Sequence, residues 1–546
     1  MSVIRTDEHP EAFRGVFRTD LVARALYAEG AGIARAIPSA IAVPVDVDDA
    51  TMLVRWARAL GYSLIPRGSG SGMAAGAVGE HVVVDMSRFT DVGEIDIRLK
   101  RIRVGPGVLR NQLDAAARAH GLHFPVDPSS GAFCTIGGMT ATNAAGARTL
   151  LYGSTRKWIN GIHCIFDDGT AAWVRRDEPL PMHVGAVERM TRALASIGRT
   201  VDHAGVRHRG VRKESSGYHV VGHGLSEPHL VDVLVGSEGT LALFAEIEVQ
   251  LADVPAASAT VLASFESLDR AAQCAVGVVS AGAAACEMLD RSYLDIAERN
   301  AGTGIDRSAE AVLLIEVEGI HEDDARGKLD EVAGVCKSTG ATQVVAATSV
   351  AGGAELWALR HAASPTLAAL PSTMRSMQFI EDSCVPPSRF AHYVRGVRSA
   401  LRRADTAGVI FGHAGDAHAH VNPLLDLTRA DWRDTMRGLL DDVCDLTARL
   451  GGTLSGEHGD GRLRAPLLSH TWNAEARAAF MNVKAAADPS GVFNVGCKLP
   501  AGGADPLSNI RFDPLSPQLP PEVRAVLDQI ERERAWHRFR LGQIPA

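Results

Sequence analysis

Aromatic residues are scarce in this 546-residue chain, at 5% of the whole. There is no surplus of positive charge: 56 lysines and arginines face 64 aspartates and glutamates, for a formal net charge of −8. That balance argues against a surface built for nucleic-acid phosphates. No apolar run reaches the ~20 residues needed to span a bilayer. The N-terminus, Met1-Ser-Val-Ile-Arg-Thr-Asp-Glu-His9, has no signal-peptide core. A soluble cytoplasmic protein is expected, with at most peripheral contact with the inner membrane. The eight cysteines, at 134, 164, 274, 286, 336, 384, 444 and 497, include no Cys-x-x-Cys pair. Their scatter argues against an iron–sulfur cluster or structural zinc within this chain. It fits reduced, buried thiols.

Small and apolar residues are plentiful: 46% of the chain is apolar and 54 residues are glycine. At this length more than one core is expected. Residues 1–35 read as a helical lead-in. From 36 to 253 the pattern is βαβ-like, with strands at 40–44, 63–66, 81–85 and from 102, and helices at 46–60 and 111–119. Further strands are expected at 161–166, 231–235 and 247–251. Val254-Pro-Ala-Ala-Ser258 marks a boundary. Residues 254–425 alternate strands (258–265, 311–318, 343–347) with helices near 268–281, 322–338 and 387–403, the pattern of a small α+β domain. Residues 426–500 are mostly helical. A tail at 501–546 is extended and Pro-rich to 519, then helical over 521–540.

The glycines cluster. Arg67, Gly68, Ser69, Gly70, Ser71 and Gly72 follow a strand ending at Pro66. Successive N–H groups in such a loop can cradle a pyrophosphate, although the same run also serves as an ordinary turn. Its spacing is not the Gly-x-Gly-x-x-Gly of nicotinamide sites. Asp127, Pro128 and Ser129 precede a run of small residues holding Thr135, Gly137, Gly138, Thr142, Asn143 and Gly146. Small side chains there suit close packing of backbone against an extended cofactor. Glu238 and Gly239 follow another apolar stretch.

A second signal lies near the C-terminus. Gly412-His-Ala-Gly-Asp-Ala-His-Ala-His420 offers His413 and His420, with Asn422 just after; Ser455-Gly-Glu-His-Gly-Asp-Gly461 offers Glu457 beside His458. Two imidazoles and a carboxylate are the inventory of an open divalent-metal site for zinc, manganese or iron. A histidine cluster without metal is the alternative. Seven residues apart on one strand, His413 and His420 would face opposite ways. Gly415 and Asp416 allow a bend that brings them together. His458 is placed to move a proton, and His418 reads as a bystander.

Taken together, Pro66–Gly72, Cys134-Thr-Ile-Gly-Gly138 with Thr142-Asn143, Gly153, Gly236-Ser-Glu-Gly-Thr240, Trp357-Ala-Leu-Arg360, the two histidine stretches and Asp488–Asn494 resemble, in order, the FAD-linked oxidases of the vanillyl-alcohol-oxidase (PCMH) fold. The nearest resemblance is to FAD-dependent D-2-hydroxy-acid dehydrogenases for D-lactate, glycolate and D-2-hydroxyglutarate. Glu381-Asp-Ser-Cys-Val-Pro-Pro387 looks most like bacterial forms with a fused iron–sulfur domain, which would begin where this chain stops.

The resemblance implies an α+β protein with a PCMH-type FAD-binding domain, an α+β substrate (cap) domain and a helical C-terminal segment. It implies non-covalent FAD, because Ser71 stands where some relatives carry a flavin-linking histidine. It implies His413, His420 and Glu457 as metal ligands and His458 as general base. Arg360, Ser364 and Asn422 become substrate contacts, and Asn494 a flavin contact, although Val495 and Cys497 depart from the family's pattern beside it. Ile380 replaces a lysine found in some hydroxyglutarate enzymes, which moves recognition of a distal carboxylate elsewhere, with Arg375 as candidate. Lys213 could face the flavin or solvent. The implied partners are a small 2-hydroxy acid and an electron acceptor: a quinone, an electron-transfer flavoprotein, a cytochrome or a separate iron–sulfur subunit. A homodimer is compatible. Two other readings stay open: a subunit of a multi-chain oxidase, and non-redox FAD chemistry like that of alkyl-glycerone-phosphate synthases.

Overall fold

The computed structural model describes residues 4, 8–200, 208, 210–220, 229–297, 308–361, 367, 370–371 and 373–544. Three larger sheets organise it. In the first, Ala40–Val43, Val82–Asp85 and Leu64–Arg67 run parallel, and Val16–Arg18 adds an antiparallel edge. These strands are apolar runs buried on both faces, as parallel strands are. Helix Val47–Leu60 connects the first two of these in sequence. Asp46 caps it by accepting from the Asp49 N–H at 2.9 Å, and Gly61 closes it in the left-handed region.

The second sheet is antiparallel, in the order Arg101–Val104, Leu243–Gln250, Ile159–Ile165, Ala171–Arg175. The third has eight strands, among them Ala257–Phe265, Ala283–Asp290, Ala311–Gly319, Ala407–His413 and His418–Asp426. Its core draws on Val261, Phe265, Met288, Leu313 and Ile410, packed under helices Leu268–Ser280 and Phe390–Arg403. Helices Trp432–Arg449 and Ala474–Ala487 follow. The whole is the expected α+β arrangement.

Three local expectations differ. The apolar run expected as a strand at 231–235 is helix Leu230–Leu234, with His229 at its cap. Short apolar runs carry no periodicity that separates strand from helix. Among its described residues the lead-in holds one helix, Leu21–Leu26, because Val16–Arg18 pairs with Ile41–Val43 instead. The tail helix spans Pro521–Glu533 and ends where Arg534 turns left-handed at φ 52°.

Candidate active site

The third sheet's register builds the site. His413 ends strand Ala407–His413; a short 3-10 turn at Ala414–Asp416 and a left-handed Ala417 reverse the chain into His418–Asp426. The anticipated bend is therefore a hairpin. Phe411 pairs with His420, and Val409 with Asn422. Directly paired residues in an antiparallel ladder share a face, and so do residues two apart. His413, Phe411, His420 and Asn422 thus project together into one cavity of about 780 Å³. On the neighbouring strand Glu287 pairs with His413, which sets its carboxylate beside that imidazole.

Loop Ser455–Gly459 supplies the remaining groups, and Asp382 shapes it. This buried carboxylate accepts from the N–H of His458 (2.8 Å), the N–H of Glu457 (3.2 Å) and the Ser455 hydroxyl (2.8 Å). Burial works against its charge, but His458, His418 and Arg464 keep it ionised.

His413 Nε2, His420 Nε2 and Glu457 Oε1 form a triangle with sides of 3.4, 3.3 and 3.2 Å. Atoms bound to a common ion at 2.0–2.2 Å stand about 3–3.5 Å apart. The hydrogen-bond partners also set the tautomers. Nδ1 of His413 bonds the Glu287 carboxylate and Nδ1 of His420 donates to the Glu381 carbonyl at 2.9 Å. Each Nε2 therefore presents a lone pair to the other and to a carboxylate oxygen. Three acceptors converging in a buried space call for positive charge at their centre. A proton on His413 can supply that charge, since burial opposes it but Glu287 overrides burial and lifts the pKa to about 9, so an ion would bind in place of that proton. The donor set fits a divalent ion. Lys213 proves buried, with Nζ 2.7 Å from Glu457 Oε2, which leaves Oε1 facing the imidazoles. Glu457 is held well below the carboxylate range: burial acts against this, and Lys213 and His413 outweigh it.

His458 stacks on His420 with centroids 5.4 Å apart and a 13° tilt. Its Nδ1 lies 3.2 Å from Glu381 Oε1, so Nδ1–H donates and Nε2 is the free acceptor. Burial lowers its basicity, while Asp382 and Glu381 raise it above the ordinary histidine value. Glu381 is held by Arg464 and His458 at a pKa of about 2 despite its burial. Arg360 donates from Nε to Glu287 at 2.8 Å and lies over the Phe411 ring, 4.3 Å from its centroid. His418 is fully buried, bonded through Nε2 to Asp382 at 2.9 Å, and kept neutral by burial at a pKa of about 3. It packs beneath the loop, outside the cavity wall.

The same cavity runs along Pro66, Arg67, Gly68, Ser69, Gly70, Ser71, Gly72, Asp127, Pro128, Ser129, Thr135, Gly137, Gly138, Thr142, Glu238 and Gly239. No protein acceptor among the described residues takes the backbone N–H of any residue from Gly68 to Gly72. Gly70 needs its freedom: its φ is +74° and a Cβ would stand 2.4 Å from the Arg67 guanidinium. At Gly72 a Cβ would meet nothing within 4 Å and would project into open space. A row of N–H groups without protein acceptors, on a loop of glycines and serines, fits a phosphate-bearing cofactor.

Three expected flavin contacts stand back from the cavity. Asn143 accepts the Arg156 N–H at 2.9 Å from a left-handed helix cap. Gly146 lets the backbone approach Asp127, where a Cβ would lie 2.4 Å from its carbonyl. Asn494 donates to the carbonyls of Gly76 (3.1 Å) and Glu238 (2.7 Å), bracing the wall from behind. Arg375 stacks on Phe512 at 4.9 Å rather than facing the cavity. Ser364 lies outside the described residues. Sequence reasoning missed Glu287 and Arg464. A lone glutamate in the otherwise apolar stretch Ala283–Leu289 was the available signal for the first.

Comparison with known proteins agrees with this geometry. Residues 38–175 match the FAD binding domain family, and residues 254–497 match the C-terminal domain of FAD linked oxidases. The fold is shared with 4-ethylphenol oxidase from Gulosibacter chungangensis, at a TM-score of 0.62 and 15% identity over 89% of this chain and 94% of that one. These matches define a flavin-dependent oxidoreductase of the PCMH type. The chain belongs to the FAD-linked oxidases. Among curated relatives, the glycolate oxidase subunit GlcD of Bacillus subtilis (strain 168) is 29% identical over 85% of this chain and 89% of its own length. The D-2-hydroxyglutarate dehydrogenase of Escherichia coli (strain K12) is 29% identical over 91% of this chain, which spans about half of that protein (51%). No helix among the described residues is long and apolar enough to cross a membrane.

Proposed function

We propose that the protein oxidises a D-2-hydroxy acid to the corresponding 2-oxo acid. The observation that carries this reading is the triangle of His413, His420 and Glu457 in one cavity with Arg360, His458 and the glycine-lined wall. Similarity to glycolate and D-2-hydroxyglutarate enzymes supports it. FAD would be held by the 66–72 loop, 127–129, Thr135, Gly137, Gly138, Thr142, Glu238 and Gly239, and the ion by His413, His420 and Glu457. When bound, FAD accepts the two electrons and the Cα hydrogen, and the divalent ion acidifies the hydroxyl.

The chain's own residues do the rest. Arg360, oriented by Glu287, pairs with the substrate carboxylate through its planar guanidinium. Asn422, on the same face, hydrogen-bonds the bound acid. His458 takes the hydroxyl proton at Nε2, and Glu381 stabilises the resulting imidazolium through Nδ1–H.

Two tests follow from the cavity wall. With Ser71 in the loop, the purified protein should be yellow and release free FAD on acid or heat treatment. Flavin that stays with the precipitated protein would refute non-covalent binding. Ile380 is buried and apolar, and Arg148, which lines the cavity, already bonds Asp127 and Glu316. A 2-hydroxy acid with an uncharged side chain should therefore reduce the flavin about tenfold or more faster than D-2-hydroxyglutarate, since an unpaired carboxylate is costly to bury. Anaerobic bleaching across a panel of 2-hydroxy acids is the measurement. Fastest bleaching by D-2-hydroxyglutarate would overturn that preference.

A second reading concerns where the electrons go. The Bacillus subtilis relative is named a subunit, and all eight cysteines here are buried and free, with Cys274 and Cys336 in contact at 3.6 Å. Both favour a flavoprotein subunit that delivers electrons to an iron–sulfur protein on another chain. Co-purification from the native source, with iron analysis, tests it.

A further inference from the structure

The segment after residue 497 lies beyond both matched domains, yet it reaches the cofactor cavity. Helix Pro521–Glu533 and the segment leading into it set Leu519, Val523 and Leu527 against Tyr27, Ile41, Ile65 and Val83. At Arg534 the backbone enters the left-handed region, φ 52° and ψ 33°. A non-glycine residue held there turns the chain sharply. The turn buries Trp536, which packs with Phe133 and Ile530 against Ala31. The Arg534 guanidinium stands 5.3 Å from the Phe133 ring centroid. Phe133, Arg534 and Trp536 line the same cavity as the glycine loop.

This wall bears directly on that loop. The Ala31 N–H donates to the Gly70 carbonyl at 3.0 Å, and Arg67 Nη2 donates to the Glu29 carbonyl at 2.8 Å. The buried Glu29 carboxylate in turn accepts from Arg524 of the tail helix at 2.9 Å. Nearby carboxylates have other partners: Glu531 pairs with Arg511 (2.7 Å) and Glu533 with Arg538 (2.6 Å). Arg534 is left with an aromatic face and no ion pair among the described residues.

We propose that this C-terminal segment forms the binding site for the adenosine diphosphate half of FAD. The redox-active ring has to meet the substrate beside His458 and the three metal donors, which come from the C-terminal domain's hairpin and loop. The other half of so long a molecule has to lie along the glycine-loop side, where the tail stands. That half carries a doubly charged diphosphate and a flat purine. Arg534 supplies the unpaired cation, and Trp536 with Phe133 supplies aromatic surface for the purine. The inference rests on the FAD assignment and is independent of the hydroxy-acid reading.

The test uses full-length protein stripped of flavin and titrated with FAD and with FMN, which lacks the adenosine half, followed by flavin fluorescence. Arg534→Ala should weaken FAD about tenfold or more and weaken FMN, which keeps one of the two phosphates, markedly less. Trp536→Leu, which keeps the packing apolar, should act in the same direction, and Arg534→Lys should restore part of the loss. Thermal melting of the apoprotein checks that Arg534→Ala, at an exposed position, leaves the fold intact. Unchanged FAD affinity in both variants, or parallel losses for FAD and FMN, would overturn the proposal. Wild-type apoprotein that takes up no FAD would instead bring down the cofactor assignment itself.

Discussion

Replacing His420 with alanine is expected to strip bound divalent metal from the protein and reduce 2-hydroxy-acid turnover to background, with FAD still bound. The triangle loses one of three donors, and two donors alone do not define an open catalytic site. FAD should stay because the glycine wall is built from another part of the chain. Glu457→Ala should have the same effect on metal and activity, with an added cost in stability. It strands the Lys213 ammonium, which is 3% exposed and whose carboxylate partner lies 2.7 Å away. Removing one member of a buried pair costs about 3–5 kcal/mol, so this variant should also melt earlier. Adding Lys213→Met should recover stability without recovering metal. Metal analysis, the flavin spectrum and thermal melting separate these outcomes. Unchanged metal content in both His420→Ala and Glu457→Ala would remove the metal site.

Much of this arrangement was legible in the sequence because its signals are local. A glycine loop announces itself in six residues, although only Gly70, pressed on Arg67, and Gly72, on an open wall, answer local surroundings; Gly68 makes room for Thr135 far along the chain. The seven-residue interval between His413 and His420, with Gly415 and Asp416 inside it, was enough to anticipate a reversal. Other parts depend on long-range pairing that no local pattern encodes. Glu287 meets His413 through strand register, 126 residues away in sequence. Arg464 reaches Glu381 across 83 residues. The same limit explains the misread stretch at 230–234. A short apolar run is helix or strand according to what it packs on, and its partners in the core include Ile162, Val174 and Phe244. It also explains Asn143 and Asn494, which the sequence motif groups with cofactor contacts. The Asn143 side chain accepts the Arg156 N–H and that of Asn494 ties two backbone carbonyls together.

His458→Ala should leave flavin and metal in place and slow anaerobic flavin reduction by ~10²–10⁴-fold, the usual loss for a positioned base. The residue faces the cavity with a free Nε2, and its Nδ1–H is committed to Glu381 at 3.2 Å. Glu381→Gln should show a smaller loss, because the amide still orients the ring but cannot stabilise its charged form. Because Glu381 also pairs with the buried Arg464, that variant needs a melting curve beside its rate. His418 cannot substitute: it is fully buried under the loop with Nε2 bound to Asp382. Exogenous imidazole should recover part of the rate in His458→Ala, since truncation opens space at the cavity wall, and should not affect the wild type. Stopped-flow traces under anaerobic conditions report the chemical step without reoxidation. If His458→Ala reduces its flavin at the wild-type rate with metal and FAD intact, the hydroxyl proton leaves by another route. The ordered row of Asp382, Glu381 and His458 would then serve only to hold the metal loop in shape.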